Sequence, residues 1–494
     1  MTSRLSPIDD ASFLLRPHEV KSASSAGSSL RHHHPKGSIH FWRSCLSCTL
    51  PLVAGVVITA MIIIFLTARK PPEAPRFYQL PIAQNIDCGL LFDDSFDARV
   101  YARNLSLHKV TYADDDKSLE TSCASIRQRG YFPLEALSQE EADFPIAFAR
   151  IVYKDYYFLE AQLRVEYAPQ NLFCYVLDAK ADSLFKKRVR NLQTCFDNVI
   201  VPEEELEVHS EGHNMTQSHL NCLKHLRKRS WKYVILLQNN DVRLRTNAEL
   251  VKLFKAFHGA NDISASIPGN HTYAVKANWT YAALKLYKHD QFNRLQTSSG
   301  ALPTLHVTKS LVQVSISRDA VDFVFEELNV DRLVRRLEQR HFGVDELFWG
   351  TLNADDGLQL PGGFTQKCLV KRSKVYMATR FTVWLNEKNP PIPCKSDFFR
   401  RWVCVFGVED LYNLSQMHQI YVNKLLPEFD YAALTCLLEN VYNRTYNIAN
   451  TAGRVNFDIR PYIQLPHVRF HKHKTSGIPL QNFNCTESPE FTNE

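Results

Sequence analysis

Leu172-Phe173-Cys174-Tyr175-Val176-Leu177-Asp178 is a six-residue apolar run that ends on a carboxylate. Unbroken runs of this length between polar turns suit a strand buried on both faces. The flanks repeat the theme. Residues 146–153 read as a strand and 156–167 as a helix, and a further helix follows Asp178 through Val189. Residues 198–201, 217–229 and 233–237 continue as strand, helix and strand. Strands alternating with helical patterns imply an α/β fold, a parallel sheet covered on both faces. In such sheets ligands bind beyond the carboxyl ends of the strands, where Asp178 and Asp241 fall.

Asp178 suits a nucleotide's ribose or base, and equally the N-cap of the following helix. Asp241 follows Gln238-Asn239-Asn240 and is a lone acid, where a hard divalent cation would want paired carboxylates. A diphosphate bound here would need other cations. Phe399-Arg400-Arg401-Trp402-Val403-Cys404 and Val422-Asn423-Lys424 supply an arginine fork and a lysine point charge beside apolar segments. For each, a plain surface charge is the competing reading.

The chemistry is expected in Phe342-Gly343-Val344-Asp345-Glu346-Leu347-Phe348-Trp349-Gly350-Thr351. A carboxylate opening a buried aromatic segment is held rigidly enough to act as a general base toward a hydroxyl, and Glu346 is that candidate. The alternative is that Asp345 and Glu346 are first-turn acids favoured by a helix dipole.

The 494 residues allow two or three domains, and 45% hydrophobic with 11% aromatic content suffices for a large core. The net charge of +6 is modest and its Lys and Arg are scattered, which excludes a continuous nucleic-acid-binding face. Residues 1–43, rich in Ser and His, read as a disordered tail. Residues 44–68 carry no charge and are bracketed by Arg43 and Arg69. As a helix they would reach roughly 37 Å, enough to span a bilayer. The flanking positive charges tie. Every Asn-x-Ser/Thr sequon (Asn104, Asn214, Asn270, Asn278, Asn413, Asn443, Asn484) and ten of 12 cysteines lie after the span, which points to an oxidising lumen. The expected order is therefore a cytosolic tail, an anchor at 44–68, a luminal stem or accessory segment at 69–135, a catalytic domain at 136–445, and a loosely packed extension at 446–494.

The luminal chain resembles the core-2/I-branching β-1,6-N-acetylglucosaminyltransferases, most closely their nematode-type members, from about Cys88 to Thr445. The markers are Ala168-Pro169-Gln170-Asn171, Cys174-Tyr175-Val176-Leu177-Asp178-Ala179-Lys180, Cys195-Phe196-Asp197-Asn198-Val199 and Leu220-Asn221-Cys222. Further on come Asn240-Asp241, Gly343-Val344-Asp345-Glu346, Val403-Cys404-Val405-Phe406-Gly407 and Val422-Asn423-Lys424.

The resemblance implies a GT-A-type, Rossmann-like fold and an inverting transfer from UDP-N-acetylglucosamine to an O-glycan acceptor. It also implies that no cofactor or divalent metal is needed. Glu346 resembles the base, Arg401 and Lys424 the grip on the UDP diphosphate, and Asp178 a nucleotide contact. Val152 falls beside the first nucleotide-binding strand, Trp384 in the acceptor region, and Asp241 at a further active-site position. Two positions depart from the pattern: Tyr153 stands where a histidine is usual, and Asn386 where a tyrosine is. The resemblance further implies disulfides Cys88–Cys436, Cys123–Cys195, Cys174–Cys222 and Cys394–Cys404, and leaves Cys368 and Cys485 open. The implied setting is a single-pass type II Golgi protein, with a homodimer among its open states. Related machinery using UDP-xylose, and a non-catalytic lectin-like or assembly partner, are the alternatives.

Overall fold

The computed structural model describes residues 75–112, 116–296, 300–370, 375–446, 457–478 and 482–485. The expected tail (1–43) and anchor (44–68) lie outside these residues. Among the described residues no helix is long and apolar enough to cross a membrane.

Ten strands occur in chain order among the described residues. They are β1 (Ile146–Val152), β2 (Leu172–Leu177), β3 (Val199–Ile200), β4 (Tyr233–Gln238), β5 (Val242–Arg243), β6 (Ser315–Ser317), β7 (Arg380–Phe381), β8 (Phe399–Arg400), β9 (Val403–Cys404) and β10 (Tyr421–Val422). The central sheet has the order β3-β2-β1-β4-β6. Its first four strands are parallel, and β6 runs antiparallel to β4 at the edge. The protein is thus a mixed α/β fold built on a mainly parallel sheet.

Successive side chains point to opposite faces of the sheet and both faces are covered, which is why β1, β2 and β4 are almost wholly apolar, Arg150 and Gln238 excepted. Ala147, Ala149, Cys174, Val176, Val234 and Leu236 pack one face against Leu223 and Leu226 of the helix Met215–Leu226. Ile146, Phe148, Phe173, Tyr175 and Ile235 pack the other against Leu159 and Leu163 of Tyr156–Glu166 and Val189 and Leu192 of Ser183–Cys195. Each large apolar side chain buried in this way contributes about 1.5–3 kcal/mol. The Cys174–Cys222 disulfide fastens β2 to the helix on the first face.

A second sheet sets the site. β10 lies between β5, antiparallel (Val422 opposite Val242), and β7, parallel (Val422 opposite Phe381). Three strands of two residues each therefore bring Asp241, Arg380 and Lys424 to one place from positions far apart in sequence.

Two expected boundaries differ. Residues from 75 to 135 do not form a separate stem. Phe77, Leu91 and Phe92 share a core with Phe406, Leu434 and Tyr442, and Cys88–Cys436 locks that contact. The C-terminal extension is not loosely packed either. Its helix Pro466–Thr475 buries Pro466, His467, Val468 and Phe470, and Cys368–Cys485 ties its far side to the main body. Glu73–Glu494 accordingly forms one compact unit. Cys123–Cys195 and Cys394–Cys404 complete a set of five bridges among the described residues.

Candidate active site

Glu346 closes a single 3-10 turn, Val344–Glu346, that precedes the helix Phe348–Ala354. It is therefore not in the first turn of an α-helix. Gly343 enters the turn at φ 67°, a conformation that favours glycine, and its N–H donates to Glu211 O at 2.7 Å. The Glu346 carbonyl accepts from Ser310 N at 2.7 Å and Ser310 Oγ at 3.1 Å, so the backbone under the carboxylate is fixed. Its side chain pairs with Lys309, Oε2 to Nζ at 2.9 Å. The adjacent Asp345 is buried beneath the left-handed Gly212. Burial, and then the Glu346 charge, push its carboxyl up to about 7.

Glu346 and Lys309 line a cavity of about 870 Å³ whose walls also include Ser266, Arg380, Trp384 and His418. Trp384 is 38% exposed there, and its backbone makes an isolated antiparallel bridge to Val403. Arg380, on β7, is missing from the sequence reading. Its guanidinium donates to Gln313 Oε1 at 2.8 Å and Asn423 Oδ1 at 2.9 Å. The half-buried side chain lies within electrostatic reach of Asp241, Glu346 and Asp345, and its buried Nε has no hydrogen-bond partner among the described residues. A buried donor without a partner at a cavity wall is suited to a ligand oxygen. The signal available in the sequence is one charge inside the otherwise uncharged run Ala378-Thr379-Arg380-Phe381-Thr382-Val383-Trp384.

Asp241 is fully buried and does not face solvent. Gln238 N donates to its Oδ2 at 2.6 Å, Gln313 Nε2 to both oxygens at 3.1 and 3.0 Å, and Asn423 Nδ2 to Oδ1 at 2.8 Å. Its carbonyl accepts from Arg150 at 2.8 Å, while Arg150 also pairs with Glu166 at 2.9 Å inside the core. Asp241 is thus a structural hub that orients the cations around it.

Lys424 follows Asn423 directly. Its pKa is pushed down to about 8 by burial and then by its cationic neighbours Arg380, Arg400 and Arg401, with Asp241 opposing. Its Nζ donates to Arg400 O at 3.3 Å, tying it to the β8–β9 hairpin. Arg401 and Trp402 form the two-residue tip of that hairpin with φ of 54° and 66°, and both are exposed. Such a turn prefers Asn-Gly, and each non-glycine residue held there costs on the order of 1 kcal/mol. Arg400 is held by Glu428 at 2.8 Å. Arg401 instead lies within electrostatic reach of Lys424 and of Glu211, the residue bonded to Gly343 at the foot of the Glu346 turn. A concentration of cations thus stands beside the turn that carries the carboxylate. Among the described residues no group of three or more His, Cys, Asp or Glu side chains stands together in a way that could hold a metal ion.

Two sequence candidates sit differently from expectation. Val152 is a core residue with no exposed surface; only its backbone reaches the site edge, where its carbonyl accepts from Asp178 N at 3.0 Å. Asp178 does not cap the following helix. That role belongs to Asp182, which accepts from Leu184 N and Phe185 N. Asp178 Oδ1 instead accepts from Lys180 N at 2.9 Å and Val208 N at 3.3 Å, holding the loop that leads to Glu211. Tyr153, next to Val152, is exposed at the same sheet edge. Of the sequon asparagines, Asn104, Asn270, Asn278 and Asn484 are exposed. Asn214 is half-buried, its amide donating to Glu207 O at 2.8 Å.

In comparison with known proteins, the chain is a glycosyltransferase. It belongs to the Core-2/I-Branching enzyme family, whose sequence model matches residues 146–415, more than half the chain. It is 28% identical to the mouse Beta-1,3-galactosyl-O-glycosyl-glycoprotein beta-1,6-N-acetylglucosaminyltransferase 3 over 376 residues, 73% of this chain and 84% of the relative. It is 27% identical to the human N-acetyllactosaminide beta-1,6-N-acetylglucosaminyl-transferase over 417 residues, 83% of this chain and 97% of the relative. The family match takes in Asp178, Asp241, Glu346, Trp384 and Arg401 and stops short of Lys424.

Proposed function

We propose that the chain is an inverting, metal-independent β-1,6-N-acetylglucosaminyltransferase of GT-A type. In this reading it moves N-acetylglucosamine from UDP-N-acetylglucosamine to a primary hydroxyl of a galactose or N-acetylgalactosamine on an O-glycan. It does so as a type II Golgi protein anchored by residues 44–68. The names of the relatives support the donor and the linkage. One observation carries the chemistry: Arg380 lines the same cavity as Glu346 and is hydrogen-bonded to Asn423, which binds Asp241 and immediately precedes Lys424.

In this reading Glu346, ionised, accepts the proton of the acceptor hydroxyl. That oxygen bonds to the anomeric carbon, the carbon–phosphate oxygen bond breaks, and the electron pair leaves on UDP. Arg401 and Lys424 meet the charge that develops on the diphosphate, work that cations fixed in advance do with little reorganisation. Trp384, at the cavity wall, presents an aromatic face to the acceptor sugar.

The test is UDP release by the purified luminal domain with a panel of UDP-sugars, with and without a galactosyl-N-acetylgalactosamine acceptor, with and without a chelator. Acceptor-dependent release from UDP-N-acetylglucosamine that survives the chelator is expected. Release from UDP-xylose alone would reassign the donor, and loss of activity with the chelator would overturn the role given to the cations.

A further inference from the structure

The Lys309–Glu346 pair is joined to the fold at both ends. Lys309 exchanges two backbone hydrogen bonds with Ser266, its N–H to Ser266 O and the Ser266 N–H to its own carbonyl, each 2.9 Å. The next residue, Ser310, donates twice to the Glu346 carbonyl. The two side chains meet at 2.9 Å above this double clamp, in the wall of the cavity, with Lys309 43% and Glu346 18% exposed. The sequence reading gave Lys309 no role. A carboxylate held by one oxygen has one preferred orientation. Lys309 takes Oε2, so Oε1 is the oxygen that it leaves to other partners.

Other charges facing Glu346 come from each neighbouring segment. Asp345 stands beside it on its own turn, Arg380 approaches from β7, and Glu387 and His418 line the same cavity. Arg380, half-buried, has Asp241 and Asp345 within reach as well. Lys309 is the cation in direct contact with the Glu346 carboxylate.

We propose that Lys309 is a positioning residue for the transfer: its ammonium fixes Glu346 Oε2, presents Oε1 to the acceptor hydroxyl, and sets a positive charge against the carboxylate throughout the transfer. The inference rests on the reading of Glu346 as general base. Lys309 itself exchanges no proton. The acceptor proton passes to Oε1 and returns to solvent when the product leaves.

The experiment is the pH dependence of kcat/KM for sugar transfer in wild type, Lys309→Met, Lys309→Gln and Lys309→Arg. Removing the cation in contact with the base removes a charge that favours the ionised form of a carboxylate. The acidic limb is therefore expected about one unit higher in Lys309→Met and Lys309→Gln, a roughly tenfold loss below the limb. Lys309→Arg should keep the wild-type limb. Two substitutions at one site guard against a single variant failing to fold, and a purely structural role would lower the whole profile without moving its limb. Transfer by the wild type with an unmoved limb in both neutral variants overturns the inference alone. No transfer by the wild type overturns the functional reading, and this inference with it.

Discussion

The Asp241 carboxylate accepts a hydrogen bond from Asn423 Nδ2 at 2.8 Å, and the residue after Asn423 is Lys424. The same asparagine accepts from Arg380 through its other side-chain atom, at 2.9 Å. One buried acid thereby orients two cations without touching solvent. Asp241→Asn puts an amide donor against the donors of Gln313 and Asn423, at a cost of about 1–3 kcal/mol for buried groups left unsatisfied. UDP affinity should fall roughly tenfold or more, as calorimetry would show, and thermal stability should fall with it. Undiminished UDP affinity would remove Asp241 from the cation framework.

Lys424 gives the site a pH dependence. Its pKa is pushed down to about 8, first by burial and then by neighbouring cations. The protonated form is the one that attracts a diphosphate, so UDP affinity should hold below about pH 8 and weaken above it, approaching tenfold per unit. Lys424→Met should bind UDP weakly and lose that slope. Titration of UDP binding from pH 6 to 9.5 measures it.

Asp345 acts in the other direction, on stability. Its folded pKa of about 7 lies above the ordinary carboxylate value, mainly through burial. The folded state therefore binds a proton more tightly than the unfolded chain, and the stabilisation present at low pH is lost as pH rises through about 7. Asp345→Asn has no such loss. Its Tm relative to wild type should improve between pH 5 and pH 8; a constant difference would mean that Asp345 is ionised throughout.

Trp384 lines the cavity with Glu346 and takes no part in the hydrogen bonds around Asp241. Trp384→Ala should raise the acceptor KM about tenfold while leaving UDP affinity unchanged, the loss expected from removing an aromatic contact worth about 1–2 kcal/mol. Steady-state kinetics with varied acceptor, and calorimetry with UDP, separate the two.

The sequence conveyed the central sheet well because β1, β2 and β4 are buried on both faces and therefore read as apolar runs. Leu172–Leu177 falls where the run predicts. The strands β5, β7 and β10 were not legible. Two residues cannot show a period, and their pairing joins segments that are distant in the chain, β10 opposite β5 and β7. Arg380 was missed for that reason, since its position matters only once β7 lies beside β10. Lys309 was missed because its partner is 37 residues away and no local pattern marks the contact. Val152 ends β1 with its side chain in the core, and its carbonyl accepts from Asp178 N, a placement no local pattern shows. Residues 75–135 looked like a stem because their apolar residues are spaced irregularly. They pack against a helix that lies more than three hundred residues later.

Glu346 bears the weight of the proposed chemistry, and Glu346→Gln is the measurement that addresses it most directly. The substitution keeps the shape and removes the base. Transfer from UDP-N-acetylglucosamine should fall by about 10²–10⁴, while UDP affinity should match that of the wild type. Transfer by Glu346→Gln at the wild-type rate would contradict the assignment.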